Sequence, residues 1–259
     1  MIHIHPSATG IAEASVLYRN VLAEGVLAWS SQTADGFAAN AIGPQTYDFW
    51  TPSAVPATLS VTLDAPQACD TAAIIAHTLG TAGATVEVQH FSGGAWVTAQ
   101  AVTPEDDADL VLLFGEVTAA QWRIRITGAV ASIGVAMIGQ RMVIPDGVTA
   151  GYTPVNLALD VELSPSVTIR GQYVGAYIKR QGAGTDIPLA QQERWWVQGE
   201  AAPFISHYNA GRPFIWMSCP DLHPEDGTYC WRDGNALSAN YGPGSVWASM
   251  TMQVSAYVA

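Results

Sequence analysis

Trp122-Arg123-Ile124-Arg125-Ile126-Thr127 decides the fold class. Apolar side chains take every second position, and charged or polar ones stand between them. A strand with one face in a core and the other in water has this period of two. Leu59-Ser60-Val61-Thr62-Leu63 repeats it, as do Val155 to Leu163 and Val246 to Val254. Thr85–Phe91 and Ala95–Gln100 flank Ser92-Gly93-Gly94, which predicts a hairpin. Leu110–Phe114 is continuously apolar and predicts a strand buried on both faces. The chain therefore reads as all-β, with antiparallel sheets and little helix. Helical spacing between Ile11 and Ala28 is weakened by Gly25 and by Val16, Val21 and Val26. Gln191 to Phe204 has room for a short helix.

Composition excludes some functions. The 259 residues carry 10 basic and 22 acidic side chains, a net charge of −12, and only one lysine, Lys179. Charged residues make up 12% of the chain, against roughly 25% in an ordinary domain. A nucleic-acid binder needs cations to displace phosphate counterions, so nucleic acid is not an expected partner. No apolar run has the length of a membrane span, so insertion in a membrane is not expected either. The first residues lack the basic start and apolar run of a secretory signal. Sparse charge with nine Trp suggests a surface partly covered by copies of the chain or by other partners.

Punctuation at Gly43-Pro44 and Pro145-Asp146-Gly147 divides the chain into three. The expected parts are an N-terminal arm (1–43), a β-sandwich (44–145) and a β-rich unit (146–259). All three are net acidic.

From about Asn40 to Ile144 the sequence resembles the galactose-binding-like, or discoidin-type, jelly-roll sandwich. Tyr47-Asp48-Phe49-Trp50 before Leu59–Leu63 looks like that family's aromatic turn and first strand. Ala73–Gly80 looks like the next strand with its His-containing turn. Val86–His90 through Trp96 resembles the central hairpin, Trp122–Ile126 the late arginine-bearing strand, and Ile133–Gly139 the closing strand. The resemblance implies glycan or other ligand binding through loops at one end of the sandwich. Trp50 and Trp96 are the candidate sugar-stacking rings, and both also suit core or rim packing. His77 and His90 suit hydrogen-bonded turn and strand roles. Glu105, Asp106, Asp107 and Asp109 suit a solvated turn better than a calcium site.

The last hundred residues resemble tail-tip proteins of long-tailed bacteriophages, including the distal tail type. The similarity lies in Gly171–Arg180, the Trp195-Trp196 segment, Gly211–Trp216 and the closing strand from Trp247. It implies a second, ring-forming β domain. It also implies a structural subunit of a tail tip or baseplate, joining the tail tube to the host-recognition apparatus. Copies of the chain, other phage tail proteins and a host surface glycan are the implied partners. The implied location is the virion tail, after assembly in the host cytoplasm. Trp195, Trp196, Phe214, Trp216, Trp231 and Trp247 are the interface candidates, and each also suits the domain's own core.

Catalytic templates are missing: no nucleophile elbow, phosphate loop or HExxH is present. No catalytic residue and no cofactor is expected. Cys219, His223 and Cys230 are weak metal candidates, since no C-x-x-C pair accompanies them. The alternative to tail assembly is a carbohydrate-binding module acting in host adsorption. A polysaccharide hydrolase is the less favoured third reading, because 22 acids allow arbitrary carboxylate pairs.

Overall fold

A computed structural model describes residues 1–258. Its strands, in chain order, are β1 (Ile2–Ile4), β2 (Ala14–Leu17), β3 (Val26–Trp29), β4 (Ala57–His77), β5 (Thr85–Ser92), β6 (Ala95–Val102), β7 (Leu110–Thr127), β8 (Ile133–Gly139), β9 (Met142–Ile144), β10 (Leu159–Val167), β11 (Tyr173–Glu193), β12 (Phe214–Met217), β13 (Gly227–Arg232), β14 (Asn240–Tyr241) and β15 (Trp247–Ala256). Among the described residues, helix is confined to α1 (Leu79–Ala82), α2 (Arg194–Gln198), α3 (Ala201–Asn209) and short 3-10 turns. The all-β expectation holds.

Two compact units emerge. Unit 1 comprises Met1–Gly147 and Arg212–Tyr229, and unit 2 comprises Val148–Gly211 and Cys230–Val258. This differs from the three-part division read from the sequence. Residues 1–43 are not an arm: β1 pairs in parallel with β7, β2 pairs with β9 and β12, and β3 pairs with β4. Burial holds them there, since Ile2, Val16, Leu17, Val21 and Leu22 are all enclosed. Helical spacing in Ile11–Ala28 is overridden by two strands and a 3-10 turn, which Asn20 caps by accepting from the Leu22 amide. Phe214–Met217 leaves the C-terminal part for the same reason: all four side chains are buried in unit 1.

In unit 1 the long strands β4 and β7 carry the architecture. Ala57–Thr62 pairs with β3 and with Gln121–Ile126, whereas Thr71–His77 pairs with β8 and Thr71–Ile74 also with Leu110–Leu113. Register shifts after Thr62 and after Cys69 bend β4 between these halves. The two halves share one core, with Leu59, Val61 and Ile124 from one and Ile74, Leu112 and Ile138 from the other. This is the packing of a β-sandwich. The alternation at Trp122–Thr127 works as predicted, for Trp122, Ile124 and Ile126 face the core. Leu110–Phe114 is buried throughout. Beyond β7 the sheet continues through β5 to the edge strand β6. Gly93 and Gly94 join those two strands with φ of +60° and +84°, a turn that L side chains adopt poorly.

Unit 2 is built on β11, which pairs with β10 on one side and β15 on the other. Ala248, Met250, Met252, Val254 and Ala256 of β15 are buried at every second position, as the C-terminal alternation predicts. Helices α2 and α3 occupy the expected region and contribute Trp196, Phe204 and Tyr208 to the buried set. The alternation from Val155 to Leu163 behaves otherwise. Leu159, Val161 and Leu163 are exposed, so their apolar face has no cover among the described residues.

Candidate functional site

The outward side of β5, β6 and β7 gathers a set of interlocked polar groups around one aromatic ring. Register places Gln89 of β5 opposite both Arg123 of β7 and Thr98 of β6, Glu87 opposite Arg125, and Phe91 opposite Trp96. On β5 and β7 the core-facing Val86, Val88, Trp122, Ile124 and Ile126 send Glu87, Gln89, Arg123 and Arg125 outward, because period two sends odd and even positions to opposite faces, and pairing brings Thr98 and Trp96 of β6 to the same side. A register shift at Val88/Gln89 locally re-aims β5.

Gln89 is the hub and is only 5% exposed. Its carboxamide oxygen accepts from Arg123 Nε at 2.7 Å. Its Nε2 donates to Glu87 at 2.6 Å and to Thr98 Oγ1 at 2.9 Å. Arg125 Nη1 donates to both Glu87 oxygens, at 2.9 and 3.1 Å. The Arg123 guanidinium carbon lies 4.2 Å from the Trp96 ring centroid, within cation–π range. Phe91 meets Trp96 edge-on, with centroids 5.4 Å apart. Burial, and next the nearby Arg125 charge, lower the Arg123 pKa from its ordinary value. Arg123 spends Nε on Gln89, so its Nη groups remain directed donors beside a fixed ring. The arrangement suits a ligand with an apolar face and hydroxyl or carboxylate oxygens at its margin.

Trp96 was readable as a candidate, and the structure brings it to this face. Trp50 is corrected. It is fully buried, its indole N–H donates to the Ser31 carbonyl at 3.1 Å, and its backbone bridges to Ile133. A ring enclosed on both faces offers no platform to a sugar. Glu87, Gln89 and Arg125 were missed. Their signal was polar and opposite-charge residues at outward positions of strands that pair, but the pairing itself is not written in one sequence. His77 is buried and its pKa is lowered, mainly by burial; Asp107 is tied to Thr81 by two hydrogen bonds. Both belong to a closed turn.

The proposed interface residues divide. Trp196, Phe214 and Trp216 are enclosed and belong to cores, a correction that follows from their size and the apolar neighbours around them. Trp195, Trp231 and Trp247 are exposed. Among the described residues no three His, Cys, Asp or Glu are grouped to hold a metal ion. Cys219 instead points its thiol at the Ala12 carbonyl, Cys230 is buried, and exposed His223 faces Glu225. The weak metal trio is therefore not assembled.

A second surface lies in unit 2. The β10–β11 hairpin exposes Leu159, Leu163, Val167, Tyr173, Tyr177 and Ile178, with Leu157 and Ile169 beside it. Among the described residues, the outer edge of β10 pairs with no other strand. Register sends Leu163 and Ile178 to one face and Tyr177 to the other, and exposed apolar strands of this kind are association sites.

No protein-family model and no curated protein matches the chain. Solved structures similar to part of it include carbohydrate-binding modules. The family 32 module of C. perfringens NanJ, in complex with galactose, is 20% identical, covers 50% of this chain and 99% of its own, and has a TM-score of 0.40. Chitosan-binding module 2 of a Paenibacillus sp. IK-5 chitosanase/glucanase, in complex with chitotriose, is 21% identical over 46% of this chain and 98% of its own, with a TM-score of 0.38. A further Clostridium perfringens family 32 module, in complex with GalNAc-β-1,3-galactose, is 14% identical over 48% and 99%, with a TM-score of 0.41.

Proposed function

We propose that this chain is a glycan-binding protein without a catalytic step, and that unit 1 takes sugar on the outward face of β5–β7. The observation that carries the reading is Arg123 held over Trp96 by Gln89. Two features make it a binding face. The ring and guanidinium are positioned before any ligand arrives, which lowers the entropic cost of binding. Polar groups beside them match the mixed apolar and hydroxylated surface of a sugar. A glycan microarray probed with the wild-type chain, Trp96→Ala and Arg123→Ala tests this. Retention of a defined glycan set by wild type, lost in both variants, is the expected result. Retention indifferent to both variants contradicts it.

The apolar hairpin favours a second, compatible reading, in which the chain is a subunit of an assembly. On the resemblance of Gly171–Arg180, Trp195-Trp196 and Gly211–Trp216 to phage tail-tip proteins, we propose a tail tip or baseplate ring as that assembly, with glycan binding serving host adsorption. Support comes from the exposed aliphatic side chains of β10–β11 and the unpaired edge of β10. Charge agrees with it: residues 157–180 carry three cations and two anions, while the rest of the chain carries seven and twenty. A hairpin of this kind suits head-to-tail contact with the acidic body of another copy, the geometry that closes rings.

A further inference from the structure

We propose that the β5–β7 face selects sugars that carry a carboxylate, with the two terminal nitrogens of Arg123 as the fork that receives it. The proposal rests on the glycan reading of that face and narrows it to acidic glycans. Arg123 is held at two points. Its Nε donates to the Gln89 oxygen at 2.7 Å, and its guanidinium carbon lies 4.2 Å from the Trp96 centroid. Gln89 is fixed in turn, since its Nε2 donates to Glu87 and to Thr98. Among the described residues, Nη1 and Nη2 of Arg123 have no hydrogen-bond partner. The Nε–H is thus spent inside the protein, and the end of the guanidinium that carries both Nη atoms is left for a ligand.

Two parallel N–H donors in one plane match the two oxygens of a carboxylate, whereas a single hydroxyl oxygen cannot meet both in parallel. Charge agrees with this. Glu87 gives both oxygens to Arg125, at 2.9 and 3.1 Å, so the acid on this face is already engaged. Register sets Ser60 and Thr58 of β4, and Thr98 and Ala101 of β6, in the same rows as the two arginines, and none of these four is charged. Those rows carry two cations and one anion, a local positive excess in a chain of net charge −12. A sugar with one carboxylate fits that excess. A densely sulfated glycan would extend past it and meet the acidic remainder of the chain.

The test is titration calorimetry of the full chain with uronic-acid oligosaccharides, the same oligosaccharides as methyl esters, and sulfated oligosaccharides, beside an array of neutral glycans. Wild type should bind the free acid about tenfold or more tightly than the ester, the loss expected when a charge-assisted pair is replaced by a neutral contact. It should also prefer the free acid to the sulfated ligand. This acid-to-ester ratio is read on wild type, so it does not depend on any variant folding. Arg123→Lys keeps the charge and loses the fork; the folded variant should bind acid and ester to within about threefold of each other. Equal wild-type binding of acid and ester, equal binding of sulfated and carboxylated ligands, or an unchanged ratio in folded Arg123→Lys overturns the proposal. Retention of neutral glycans alone overturns it and leaves the glycan reading standing. Retention of no glycan of any kind overturns both.

Discussion

Replacing Trp50 with alanine separates core from platform. The ring is wholly enclosed, and its indole N–H satisfies the Ser31 carbonyl. Deleting a buried tryptophan costs about 3–5 kcal/mol through lost burial and the cavity left behind. The Ser31 carbonyl also loses its partner, which places the expected value in the upper half of that range. In a unit of this size each kcal/mol moves the midpoint by about 2–4 °C, so a drop on the order of 10 °C is expected. Trp96→Ala removes a half-exposed ring and its contact with Arg123, costing about 0.5–1 kcal/mol. Urea titration followed by circular dichroism reads both variants on one scale. If Trp50→Ala costs less than about 1 kcal/mol, or no more than Trp96→Ala, the assignment of Trp50 to the core is wrong.

Other outcomes follow from the same structure. Burial pushes the Asp109 carboxyl up to about 6 from 3.8. The folded state therefore holds its proton more tightly than the unfolded chain. The resulting stability is full below pH ~4 and is lost as pH rises through 6, by up to about 3 kcal/mol; Asp109→Asn should flatten that part of a urea-midpoint profile against pH. A Cβ at Gly80 would lie 2.3 Å from the Asp106 backbone, so Gly80→Ala should destabilise unit 1 by about 1–3 kcal/mol in the same titration. Leu163→Lys/Tyr177→Lys places charges on the exposed hairpin. Analytical ultracentrifugation should show self-association of wild type and its loss in the variant, with thermal stability unchanged; a wild type that stays monomeric at high concentration contradicts the assembly reading.

The strands were legible because their alternation is local. Trp122–Thr127 and the residues of β15 declare which side faces a core, and Gly93-Gly94 declares a turn. Partnership was not legible. Nothing in Met1–Gly43 announces parallel pairing of β1 with β7, since a three-residue strand has too short a period to read. Phe214–Met217 reads as interface or core equally well, and its burial depends on β2, some two hundred residues away. Alternation at Leu159–Leu163 declares a strand but not its burial, because a sequence reports an apolar face and not what covers it. The candidate site suffered the same limit. Trp96 stands out by composition alone, but Gln89, Glu87 and Arg125 become a site only once β5, β6 and β7 lie side by side.

The central claim is that Trp96 and Arg123 hold a sugar. Isothermal titration calorimetry of a glycan retained by the wild-type chain, against Trp96→Ala and Arg123→Ala, tests it most directly. Each variant should bind about tenfold more weakly, about 1.4 kcal/mol, while Trp96→Ala keeps the wild-type unfolding free energy to within about 1 kcal/mol and Arg123→Ala, which leaves the buried Gln89 oxygen unpartnered, to within about 3 kcal/mol. Equal affinity across all three proteins would contradict the claim.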